Sequence, residues 1–123
     1  MQTNETEWAW AAGFFDGEGY VAARMGGHRR TASGELFRYR RIEIQITQMH
    51  PDVLERFRLA VGRGSIGGPY ADKRGNRGPM YKYATAGYVA VSEIFDRIGK
   101  YLSPVKAEQV RRAFALYETL GGD

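Results

Sequence analysis

The sequence has no cysteine, only two histidines and no long apolar run. The first absence rules out disulfides and thiolate chemistry and makes a soft-metal site unexpected. The last, with the lack of a basic and apolar leader, gives the expectation of a soluble, unprocessed chain inside the cell. It would be cytoplasmic or nucleoid-associated, with an organelle left open and no membrane partner. Nor is there a linker rich in proline or serine, or a second copy of any motif, so residues 1–123 are read as a single domain. Charge of one sign is not strongly in excess: 18 Lys plus Arg face 14 Asp plus Glu. A surplus this small favours polyanions only weakly, so its placement has to carry the argument.

That placement is uneven. HRR (28–30), RYRR (38–41) and KRGNR (73–77) fall in or beside segments read as strand ends and connections. Asn4 and Glu7 have the spacing of a capping box before WAWAAGFF, which predicts a first helix over about residues 5–16. YVAARM (20–25) predicts a strand with Val21, Ala23 and Met25 on one face and Tyr20, Ala22 and Arg24 on the other. Residues 36–48 predict a second, with Ile42, Ile44 and Ile46 opposite Tyr39, Arg41, Glu43, Gln45 and Thr47. Pro51 opens a helix with Val53, Leu54, Phe57 and Val61 as its apolar face, stopped by Gly62 and Gly64. Strands at 65–68 and 80–86 and helices at 92–102 and 106–120 complete an α+β order. The antiparallel sheet would have one face covered by helices and one open.

The first helix ends in DGEG (16–19). A glycine inside a helix costs about 1 kcal/mol against alanine, which close approach of another helix at Gly13 would offset. Ala9, Ala12 and Gly13 make a narrow small-residue stripe, and Trp8, Ala11 and Phe15 a bulkier one. Asp16 is placed to accept hydrogen bonds near the helix end, and Gly17 and Gly19 permit a tight exit into the strand. Glu18 is then left at the turn. If two such helices paired about a two-fold axis, two Glu18 carboxylates would meet, and a hard divalent cation would relieve their repulsion. On spacing alone the ordinary readings are a solvated turn and a core helix.

AAGFFDGEG (11–19) resembles the nine-residue signature of the LAGLIDADG homing endonucleases, with Glu18 at the acidic position where most members have aspartate. IEIQITQ (42–48) resembles the end of that family's second strand, and LSPVKAEQ (102–109) the start of a late helix. The resemblance implies an αββαββα fold with a saddle-shaped antiparallel sheet. It implies a hydrolase of intron homing, a site-specific nuclease making metal-dependent double-strand breaks in a long, nearly palindromic DNA site and leaving short 3′ overhangs. Mg²⁺ would be the cofactor, with Mn²⁺ possible. Glu18 would be the catalytic carboxylate and, with the Gly17 carbonyl, a metal ligand; Gln48 would organise solvent at the scissile phosphates; Lys106 would stabilise phosphate charge. A single signature in a chain of this length resembles the homodimeric branch, which implies an interface on the first helix through Ala9, Ala12, Gly13 and Asp16.

An open, polar sheet face suits the DNA major groove. By parity Arg24, His28, Tyr39, Arg41, Glu43 and Gln45 form the base-side set. Arg41 suits guanine and Gln45 adenine, while Glu43 would accept from cytosine or simply orient Arg41. Arg29, Arg30, Arg38, Lys73, Arg74 and Arg77 suit phosphates, and Lys82 fits either set. Two other classes use the same features. A non-cleaving nucleic-acid-binding module, either an RNA maturase or a DNA-binding regulator, would need the basic face without the chemistry. A structural ferredoxin-like assembly protein fits the elements but leaves the arginines without a task.

Overall fold

Nearly every side of the first helix is apolar, so it has to be covered from several directions. The computed structural model describes residues 4–71 and 78–121. In chain order its elements are α1 (Glu5–Glu18), β1 (Tyr20–Arg30), β2 (Leu36–Gln48), α2 (Pro51–Val61), β3 (Ser65–Tyr70), β4 (Met80–Ala86), α3 (Tyr88–Ile98), a 3-10 turn (Gly99–Tyr101) and α4 (Pro104–Leu120). The α+β expectation holds. One antiparallel sheet runs in the order β1-β2-β4-β3, with β1 and β3 at its edges.

The parity read from the isoleucines is the parity of the sheet. Ile42, Ile44 and Ile46 are buried with Ala23 of β1 and Tyr83 of β4, which are the register partners of Ile42 and Ile46. Leu54, Phe57 and Val61 of α2, Val91, Ile94 and Ile98 of α3, and Val110 and Ala113 of α4 complete this core. From α1, Ala11, Ala12 and Phe15 enter it. Edge-to-face contacts lock the aromatics: Phe15 lies 5.4 Å from Phe95, and Phe57 5.0 Å from Tyr83. The Tyr83 hydroxyl donates to the Arg63 carbonyl at 2.8 Å, and its ring lies where a Cβ at Gly64 would stand.

Several boundaries move. The expected capping box does not form: Asn4 sits at φ −89°, ψ 2° and makes no side-chain cap. Glu7 instead accepts from Arg56 Nε and Nη2 at 3.1 and 2.8 Å, and this guanidinium lies 3.9 Å over the Trp10 ring. A bidentate charged partner outcompetes a backbone N–H for the carboxylate, and it holds the Glu7 carboxyl below its ordinary value. At its other end α1 runs on to Glu18, because Gly19 N donates to the Phe15 carbonyl at 2.7 Å. Only glycine fits there, since the Phe15 ring occupies the space of a Cβ. β1 continues through the two glycines to Arg30, with its register to β2 shifting between Met25 and His28. α3 begins at Tyr88, after Gly87 at φ 110°. Among the described residues no helix is long and apolar enough to cross a membrane.

Candidate active site and nucleic-acid interface

Two hydrogen bonds tie the end of α1 to the start of α4. Ser103 caps α4, its hydroxyl accepting from Lys106 N at 3.3 Å, with Pro104 at the first helical position. Asp16 Oδ1 accepts from Ser103 N at 2.9 Å. Lys106 Nζ returns across the junction to donate to the Gly19 carbonyl at 3.1 Å, passing 5.5 Å from the Phe15 ring. A lysine in the first turn of α4 is badly placed for its own helix dipole but well placed for the negative end of α1. The tertiary contact therefore sets the position of this cation.

Glu18 closes α1 and is exposed, as is Gly17. A carboxylate at the negative end of a helix is unfavourable without a cation, and the last carbonyls of the helix lack intrahelical donors. Among the described residues Glu18 joins no ion pair, and no three His, Cys, Asp or Glu side chains gather. Glu18 and the Gly17 carbonyl are oxygen donors at this helix end, the atom type a hard cation takes. Gln48 is half-buried at the last position of β2, opposite Tyr81 of β4. Since Tyr20 pairs with Gln45, the end of β2 and the end of α1 share one end of the sheet. Among the described residues no hydrogen bond joins Gln48 to Glu18 or Lys106.

The small-residue stripe has a different membership from the expected one. Ala9, Gly13 and Gly17 are exposed at i, i+4, i+8 spacing. Ala12 is completely buried in the core, because a step of three residues from Ala9 turns it toward the sheet. Asp16 is half-buried and already engaged by Ser103 N. A Cβ added at Gly13 or Gly17 would meet nothing within 4 Å.

The open face carries Arg24, Arg41, Gln45, Thr47 and Lys82. Arg24 is the register partner of Arg41, Gln45 lies between Tyr20 and Ala84, and Lys82 lies between Thr47 and Gly67. The placement of Lys82, open in the sequence, is thus on this face. Two expectations are corrected. Glu43 has the open-face parity but is only 1 % exposed: Arg24 and Arg41 cover it, which removes its reading as an acceptor from cytosine and leaves the other, that it orients Arg41, whose Nε donates to Oε2 at 3.2 Å. His28 is displaced by the bulge, pairing with Arg38 while Arg29 pairs with Phe37. One extra residue in β1 exchanges the faces beyond it, so Arg29 rather than His28 joins Arg41. The Arg29 guanidinium lies 4.1 Å over the Tyr39 ring, and Arg29 and then Arg41 beside its hydroxyl hold Tyr39 below the ordinary phenol value. Arg38 Nε donates to the Gly26 carbonyl at 3.4 Å and Arg30 Nη1 to that of Gly34 at 2.8 Å, so both line the exposed hairpin end. Lys73, Arg74 and Arg77 lie outside the described residues. Thr47 and Tyr20 are also exposed on this face, as their strand parity requires.

No protein-family model matches the chain, and no curated protein matches it in sequence. Solved structures do match in fold. The homing endonuclease I-CvuI, in complex with its target and Ca, superposes with a TM-score of 0.71 at 17% identity, over 97% of this chain and 70% of that one. A second I-CvuI complex, with the I-CreI target in the presence of Mg, has its DNA not cleaved. The homing endonuclease I-TnaI gives 0.64 at 20% identity, over 98% and 76% of the two chains. The LAGLIDADG homing endonuclease I-GzeII, in complex with its DNA target, gives 0.65 at 18% identity over 94% of this chain and 36% of that one. The structural likeness covers nearly the whole of this chain, and the chain has the LAGLIDADG homing endonuclease fold.

Proposed function

We propose that this chain is a homing-type, site-specific DNA endonuclease. In this reading two copies pair through α1, lay their basic sheet faces in the major groove of a long, nearly palindromic site, and hydrolyse one phosphodiester on each strand to leave short 3′ overhangs. The observation that carries the proposal is that one helix end brings together an exposed Glu18, in no ion pair among the described residues, and a Lys106 ammonium 3.1 Å from the Gly19 carbonyl. Endonuclease complexes with DNA on the same fold support it.

Each residue then has a task. Glu18 and the Gly17 carbonyl, with their symmetry mates, would hold a divalent cation; Mg²⁺ suits oxygen ligands, and Mn²⁺ suits the same set. A divalent cation held there would supply charge stabilisation to the scissile phosphate and lower the pKa of water bound to it. Lys106 keeps its charge directed at that phosphate by anchoring on Gly19, and Gln48 orients water from the end of β2. Arg24, Arg29, Arg41, Gln45 and Lys82 bind the duplex. Pairing through α1 would give Gly13 a use: a Cβ there meets nothing within 4 Å of its own chain, and a second helix approaching closely would need that Cβ to be absent.

Cleavage selection from a randomised palindromic DNA library, in Mg²⁺ and in chelator, would test this reading. On the selected site, Glu18→Gln should slow cleavage at least about a hundredfold, because a metal supplies several kcal/mol of charge stabilisation. Dimerisation and specific binding should persist. Cleavage by Glu18→Gln at the wild-type rate would reject the assigned carboxylate.

A further inference from the structure

We infer that Glu43 is a positioning residue for sequence readout, holding Arg24 and Arg41 as one preorganised pair of guanidiniums aimed at two neighbouring guanine edges in each half-site. The inference rests on the proposed DNA reading and deepens it. Arg24 and Arg41 are directly opposed on adjacent strands, an arrangement in which like charges repel. Glu43, two residues along β2, lies between Ala22 and Ala86 in the register, and neither side chain offers it a donor. The two arginines are its partners. Oε2 accepts from Arg41 Nε at 3.2 Å and faces Nη2 at the same distance. Oε1 makes an ion pair with Arg24 Nη2 that lacks hydrogen-bond geometry.

This carboxylate is buried on a face otherwise open to solvent, while the side chains of Arg24 and Arg41 remain 53% and 35% exposed. Burying it gives the fold little, since an apolar residue of similar volume commonly serves stability as well as a buried ion pair. Direction is what it adds. With its Nε edge engaged, Arg41 presents its outer fork, the donor pair that meets guanine O6 and N7. A guanidinium already fixed at one edge also loses less rotamer freedom when DNA arrives. Because one carboxylate steers both arginines, the two base preferences are coupled.

The test uses Glu43→Gln, nearly isosteric but neutral, and Glu43→Met, which fills the volume without polar atoms. In the free protein, NMR of the arginine Nε–H groups should give a sharp, slowly exchanging Arg41 signal that both variants lose. On DNA, Glu43→Gln should relax discrimination about tenfold at two positions together, within the range of a lost bidentate arginine contact. Arg24→Ala and Arg41→Ala should each relax one of the two. Binding to random duplex should not weaken, since a negative charge has been removed. Adding Glu43→Gln to the Arg24→Ala, Arg41→Ala double variant should change nothing further. An unaltered preference profile in Glu43→Gln, or an equal effect in that double-variant background, would overturn the inference. So would failure of both Glu43 variants to fold, which would make the carboxylate a requirement of the fold itself. A wild type with no base preference would instead defeat the DNA reading, and the Arg41 signal would still decide the positioning.

Discussion

Replacing Gly13 by alanine separates what α1 does within one protomer from what it does between two. Inside a helix the change is worth about 1 kcal/mol in favour of alanine, and the new methyl meets nothing within 4 Å of its own chain. An isolated protomer should therefore gain that amount, a rise in Tm of about 3–5 °C for a domain of this size. If α1 is the two-fold interface, the same methyl is added twice at the closest approach of the helices. Overpacking of that kind costs about 1–3 kcal/mol, which raises the dimer dissociation constant roughly 5- to 150-fold. The two effects have opposite signs, so thermal melts across a dilution series should cross: the variant is the more stable at low concentration, the wild type at high. Sedimentation on the same samples should show the variant dissociating first. A uniform rise in Tm at every concentration, with the oligomeric state unchanged, would refute pairing through this helix.

Two further substitutions probe the protomer. Asp16→Ala removes the acceptor for Ser103 N and should cost about 1–2 kcal/mol in urea unfolding, whereas Asp16→Asn keeps an acceptor oxygen and should cost less; equal losses would show that the hydrogen bond is not what Asp16 supplies. The tyrosines should titrate in a spread order: Arg29 and Arg41 pull Tyr39 down, and burial pushes Tyr83 above the usual phenol range. Above about pH 10 the unfolded chain releases the Tyr83 proton while the folded chain retains it, so this residue makes stability fall as pH rises. In tyrosinate absorbance, Tyr39→Phe should remove the earliest ionisation and Tyr83→Phe the latest; an early step that survives Tyr39→Phe would contradict the arginine contacts.

Local periodicity determined much of this molecule. The alternation of Ile42, Ile44 and Ile46 set which face of β2 is buried, and glycines and prolines marked most element ends, because helix and strand repeats are properties of consecutive residues. The signature at 11–19 and the Lys106 segment were likewise readable as chain order, and Lys82 needed only the strand pairing to find its face. What neighbours distant in sequence impose was not readable. The bulge at Gly26 and Gly27 exchanges the faces of His28 and Arg29 only because β1 has to stay paired with β2. Arg56, 49 residues away, takes Glu7 from its capping role, and the sheet beneath α1 draws Ala12 inward while leaving Gly13 bare. Glu43 is the clearest instance. Its parity is that of a surface residue, and its burial comes from two arginines on adjoining strands folding over it, a matter of tertiary packing and charge that no pattern along the chain encodes.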